Sequence, residues 1–206
     1  MRTLIFLLLP VVMVPLAASA QWREFFDPEE FFSVNFPAEP DVREIEFQSE
    51  YGATVPAKVY SVVDGDQLYS VTVVNYADAE GTHTELPDGT DDTTPTSIWV
   101  YDQRASVSFA ARALRLRGGE VTYDAWHHID RVEGLQLQIT NPDGSRTYAG
   151  TYYHNSRLYI VEATGPEVSI LAQGLFQQSL YFLDDEGIRI RYELFPDGSR
   201  VRTPVP

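Results

Sequence analysis

The chain has 206 residues, with 15 Lys and Arg against 30 Asp and Glu, a formal net charge of −15, four histidines and no cysteine. That acidic balance repels nucleic acid and anionic lipid and argues against both as partners. The missing cysteine removes disulfides and thiolate chemistry, so packing alone must hold the fold.

The first twenty residues read as a cleavable secretory signal peptide. Arg2 supplies a positive start, Leu4 to Leu16 is apolar apart from Pro10 and Pro15, and Ala18-Ser19-Ala20 is a small-x-small cleavage site. The apolar run is shorter than the roughly 20 residues of a spanning helix and is broken by its prolines. Cleavage before Gln21 removes one Arg and no acid, taking the net charge from −15 to −16. No stable membrane insertion is expected afterwards, and residues 21–206 are expected to form one exported domain, periplasmic or extracellular.

Residues 21–40 are rich in aromatic rings, including Trp22, Phe25, Phe26, Phe31, Phe32 and Phe36. They read as a short helical or irregular lead and a first strand, Ser33 to Phe36, that stops at Pro37. Val42 to Phe47, Val55 to Val63 and Leu68 to Tyr76 alternate as strands, the last two closed into a hairpin by Asp64-Gly65-Asp66. Asp78 to Thr96 reads as a long acidic loop. Ser97 looks like the N-cap of a helix that runs to about Arg117 and ends at Gly118-Gly119. Arg104, Ser108, Arg112 and Arg115 form a polar stripe on that helix between two apolar sides.

Four strands follow: Val121 to Ile129, Leu135 to Thr140, Arg146 to Tyr153 and Arg157 to Ala163. Asn141 to Ser145 and His154-Asn155-Ser156 supply turns. Pro166 opens a second helix expected to reach Asp184, with Val168, Leu171, Leu175, Ser179 and Phe182 on one face. Ile188 to Phe195 and Ser199 to Arg202 make a last hairpin around Pro196-Asp197-Gly198. The Pro-Asp-Gly triplet also occurs at Pro87 and Pro142 and is read as recurring turn chemistry, since no steady period surrounds it. The fold class expected is α+β: a mainly antiparallel sheet sandwiched by two long α-helices, with a C-terminal β-hairpin.

No motif for catalysis, metal or nucleotide stands out, and no cofactor is expected. His127 and His128 are adjacent on a strand and point to opposite faces, which separates them as ligands of one metal ion. A third ligand from Asp124, Asp130 or His154 is not placed by spacing. Asp88 to Asp92 lacks the ordered ligand pattern of a calcium loop. Ser106, Ser108 and Ser179 sit inside expected helices without a nucleophile elbow. Gly118-Gly119 ends a helix and lacks the Lys-Ser/Thr of a phosphate loop.

Scarce positive charge gathers in two places instead. One is the first-helix ridge of Arg104, Arg112, Arg115 and Arg117; the other is the final hairpin with Arg189, Arg191, Arg200 and Arg202. In the hairpin, outward Arg side chains of paired strands are expected to cluster on one face. Such a cluster reads as a docking patch for an acidic partner, against the plainer alternative of a solvated face balancing an acidic body.

The run Phe32-Ser33-Val34-Asn35-Phe36-Pro37-Ala38-Glu39-Pro40 resembles the opening of many uncharacterised exported bacterial proteins. With Tyr69-Ser70-Val71, Arg157-Leu158-Tyr159 and Phe176 to Leu180, the order of elements looks like the PsbP/DcrB-like fold. The extra Arg-rich hairpin departs from that pattern. The resemblance implies a non-enzymatic accessory or protein-interaction module and transfers no functional residue. Two alternatives stand beside it: a small-ligand or metal-binding protein using the His127/His128 strand or the acidic loop, and a hydrolase of unknown substrate.

Overall fold

A computed structural model describes residues 22–84 and 97–204. The signal peptide expected over residues 1–20 and most of the acidic loop lie outside the described residues. No described helix is long and apolar enough to cross a membrane.

Alternating sequence makes the central sheet. Its seven antiparallel strands are β3 (Asp41–Gln48), β4 (Thr54–Asp64), β5 (Gln67–Asn75), β6 (Glu120–Ile129), β7 (Val132–Thr140), β8 (Arg146–His154) and β9 (Arg157–Gly165). The spatial order is β3-β4-β5-β9-β8-β7-β6. Each neighbouring pair is a sequence-local hairpin or meander except β5 with β9, where Tyr69 lies opposite Ala163. The tight turns have identifiable chemistry. Asn155 and Ser156 both take positive φ, 47° and 57°, between β8 and β9. Asp130 and Arg131 do the same, 48° and 69°, between β6 and β7. Two successive left-handed residues match the strand twist in a two-residue hairpin. Short polar side chains accept that conformation at lower cost than others, but Arg131 does not belong to that group.

Alternation sends side chains to two separate cores. Leu158 and Ile160 of β9 face one, while Tyr159, Val161 and Ala163 face the other. The first core is closed by helix α2 (Ile98–Arg115) through Ala110, Ala111 and Leu114. A short helix preceding it, α1 (Ala79–Thr84), adds Ala79. The second core is closed by a three-stranded sheet and a short helix. The strands are β1 (Arg23–Asp27), β2 (Phe32–Phe36) and β10 (Tyr181–Phe182), in the order β1-β2-β10. Phe32, Phe36 and Phe182 enter the core from them. The helix is α3 (Ile170–Gln177), which follows a 3-10 turn at Glu167–Ser169 and contributes Phe176. The C-terminal hairpin pairs β11 (Ile190–Leu194) with β12 (Arg200–Pro204).

The sandwich of two long helices is therefore corrected. One face of the sheet carries a long helix, and the other carries three short strands and two turns of helix. The second helix, expected to reach Asp184, stops at Gln177 because its C-terminal third is taken by β2. Tyr181 lies opposite Ser33 and Phe182 opposite Phe32, and the Asn35 amide donates to Ser179 Oγ at 3.1 Å. Ladder bonds plus burial of Phe182 outweigh a few tenths of a kcal/mol per residue of helix propensity. The outer strand β1 likewise replaces the irregular lead: Arg23 to Asp27 pair with Phe36 to Phe32 along their whole length.

The face shared by Val168, Leu171 and Leu175 points to solvent. Val168 is 93% exposed and Leu171 75% exposed, while Gln173, Phe176 and Gln177 are buried. Gln177 Nε2 donates to the backbone carbonyls of Leu137 and Ala149, and Phe176 stacks on Phe36 at 5.1 Å. A buried amide that meets backbone acceptors satisfies its polarity and anchors the helix by a residue that periodicity counts as polar.

Candidate functional site

The Arg residues singled out by sequence divide sharply by what they touch. On α2, Arg112 Nη2 bonds Glu50 Oε2 at 2.9 Å, and Arg115 grips Asp124 through two bonds of 2.6 and 2.8 Å. Arg117, just past the helix end, pairs with Glu162. Asp124 and Glu162 project from β6 and β9 on the α2 side, so this ridge ties the helix to the sheet. The Arg115 guanidinium holds the Asp124 carboxyl below its ordinary range. Arg104 is exposed and has no ion-pair partner among the described residues.

The hairpin does not place its four Arg on one face. Opposite residues in an antiparallel pair share a face. Arg202 lies opposite Tyr192, and Arg200 opposite Leu194, so both stand on the even-numbered face of β11. Arg189 and Arg191 stand on the other. There Arg189 is engaged by Glu24 and lies over the Tyr181 ring, 3.9 Å from its centre, while Arg191 Nε is 3.4 Å from Asp130 Oδ1.

Arg200 and Arg202 have no carboxylate partner among the described residues. They border a cavity of about 420 Å³ between the hairpin and the β8–β9 turn, with Glu133, His154, Asn155 and Tyr192 in its wall. The wall is organised by a ring stack. The Arg200 guanidinium sits 4.8 Å from the Tyr192 ring centre. The Tyr192 hydroxyl lies 3.0 Å from His154 Nε2, and the His154 ring lies 4.7 Å from Phe182. Burial, with Arg200 and Arg202 nearby, pushes His154 down to about 4, so its ring is neutral at neutral pH. Its other nitrogen, Nδ1, is buried without a partner among the described residues. Sequence reading named His154 only as a spare metal ligand and a turn residue. The register that carries it under Arg200 and Arg202 is a long-range contact with no local signature.

The other candidates separate. His127 Nδ1 lies 3.0 Å from the Tyr152 hydroxyl, and burial lowers its pKa, whereas His128 is exposed and 3.8 Å from Glu133. Asp124 and Asp130 serve Arg115 and Arg191 as described. No group of three His, Cys, Asp or Glu side chains converges on one point among the described residues. The Ser106 and Ser179 hydroxyls donate to the Gln103 and Phe176 carbonyls, while Ser108 is exposed on α2. Gly118 supplies the left-handed turn after α2, at φ 95°.

One buried polar pair lay outside the sequence reading. His83 Nε2 on α1 meets Asp102 Oδ2 on α2 at 2.8 Å, with Asp102 fully buried. Asp102 Oδ1, His83 Nδ1 and the Tyr76 hydroxyl are buried there without partners among the described residues. The only local hint was Asp102 directly after the run Ile98-Trp99-Val100-Tyr101.

No family model matches the chain, and no curated protein does. Among solved structures, the cyanobacterial PsbP protein CyanoP from Synechocystis is similar at 12% identity and a TM-score of 0.46, covering 84% of this chain and 99% of that one. A Pseudomonas aeruginosa protein of unknown function is similar at 8% identity and a TM-score of 0.32, covering 74% of this chain and 88% of the other. At these values the likeness is one of outline and assigns no residue a role.

Proposed function

We propose that this chain is an exported, non-enzymatic interaction module that holds an acidic partner on its C-terminal hairpin. The observation that carries the reading is the contrast among its Arg residues. Arg112, Arg115, Arg189 and Arg191 are occupied by the protein's own carboxylates, whereas Arg200 and Arg202 share one face and are not. A pair of open guanidinium groups on an acidic body is a directional device. On a strongly acidic chain, this pair gives an acidic partner a local positive edge, which selects orientation and favours the correct encounter.

The test is in-cell crosslinking and capture with the native protein, an Arg200→Glu/Arg202→Glu variant and an Arg189→Glu/Arg191→Glu variant. A defined partner lost with the first variant and kept with the second supports the reading. A partner kept by both variants, or no defined partner for the native protein, overturns it.

A further inference from the structure

We propose that the cavity beneath Arg200 and Arg202 is a carboxylate-binding subsite, and that what it takes is an acidic side chain of the docked partner. This rests on the hairpin docking reading and adds the chemistry that the docking recognises.

Three features point to a single carboxylate. The first is donor geometry. Arg200 and Arg202 stand two residues apart on one face of β12, and each offers a fork of N–H donors that fits two carboxylate oxygens. The second is rigidity. Arg200 lies over Tyr192, Tyr192 is bonded to His154, and His154 is packed on Phe182. A guanidinium held by such a stack loses little freedom on binding. The third is a polar wall. His154 and Asn155 line it beside the two Arg, and His154 Nδ1 has no hydrogen-bond partner among the described residues.

Size and charge narrow the ligand. About 420 Å³ lies near the lower end of small-molecule sites and suits one side chain with a few waters, not a folded element. Glu133 shares the wall, so two cations face one fixed anion. A singly charged carboxylate completes that balance, while a doubly charged phosphate adds repulsion from Glu133. The walls are not apolar enough to hold an aliphatic acid by its tail: Val132 and Leu183 are the aliphatic members. The carboxylate therefore arrives on a peptide that the rest of the hairpin edge supports.

The experiment is an NMR titration of the purified protein, following the His154 ring and the Arg side-chain Nε–Hε signals. Three probes are used: an acetylated, C-amidated peptide rich in Asp and Glu, an acetylated neutral peptide with a free C-terminal carboxylate, and inorganic phosphate. Saturable shifts at His154 and Arg200 with the acidic amidated peptide are expected. Affinity should fall at least tenfold in Arg200→Gln and in Arg202→Gln and stay within twofold in Arg189→Gln. Binding of the free-terminus peptide alone keeps a carboxylate site but overturns the side-chain assignment. Phosphate binding tighter than both peptides, no saturable shift with either, or shifts indifferent to Arg200→Gln and Arg202→Gln overturns the carboxylate site. If no carboxylate binds while partner capture still depends on Arg200 and Arg202, the subsite fails and the docking reading survives. If capture is indifferent to those residues, the docking reading fails whatever the titration shows.

Discussion

His83 and Asp102, nineteen residues apart on two different helices, meet at 2.8 Å in the interior and fasten α1 against α2. Neither Asp102 Oδ1 nor His83 Nδ1 has another partner among the described residues. Removing one member leaves the other buried and alone. His83→Leu and Asp102→Leu are each expected to cost about 3 kcal/mol, and the double variant less than the worse single one. Urea unfolding of the four proteins as a double-mutant cycle measures this. Additive single effects would show that the two side chains are not coupled.

Helix α3 presents its aliphatic stripe to solvent. Leu171→Ser is expected to change stability by no more than about 0.5 kcal/mol, whereas Phe176→Ala, which empties a fully buried ring site, should cost about 3–5 kcal/mol. Thermal and urea unfolding of both variants distinguish this setting from the reverse one, in which Leu171 would be the costly position.

Two glycines predict opposite signs. A Cβ at Gly134 would lie 2.2 Å from the Tyr152 ring and 2.3 Å from the Thr151 carbonyl oxygen. Gly134→Ala should therefore destabilise by about 1–3 kcal/mol. Within α3, a Cβ at Gly174 meets only Tyr148 ring carbons, at 3.7 and 3.8 Å. Gly174→Ala should stabilise by about 0.5–1 kcal/mol, since alanine loses less backbone freedom in a helix. Midpoints of urea unfolding decide both.

His154 makes stability depend on pH. Its folded pKa is about 4, below the ordinary value of 6.5, so between those two pH values the unfolded chain binds more protons. Stability from this group is complete above about pH 6.5 and is lost as pH falls toward 4. With Arg200, Arg202 and Glu133 unchanged, a His154→Phe variant should lose roughly 2–3 kcal/mol less stability than the native protein between pH 7 and pH 4.5. Equal losses in the two proteins would place His154 in an exposed setting.

The α2 tethers are modest by comparison. Arg115→Ala removes two bonds to a partly exposed Asp124 and should cost about 0.5–1 kcal/mol, while Arg104→Ala should cost nothing measurable. The Arg115 effect should shrink in 1 M salt, read by the same unfolding midpoints.

Sequence by itself determined where most strands of the sheet lie. β3, β4, β5, β6, β8 and β9 lie within a residue or two of the alternating runs, because period two is a local property written in consecutive side chains. The long helix was equally legible from Ser97 to the glycines after it, although Ser97 makes no side-chain cap bond. Tertiary structure alone decided the rest. Phe182 joined β2 instead of extending α3, and Gln177 went inward while Leu171 went outward, because each was settled by partners more than a hundred residues away in the chain or by sheet carbonyls that no window contains. The same holds for the candidate site. The Arg pairs of the hairpin were visible in sequence, but which two are open depends on a strand register, and that Arg200 and Arg202 share a wall with His154 depends on where the hairpin folds back. Register and long-range docking are set by the whole core at once, so no stretch of sequence carries them.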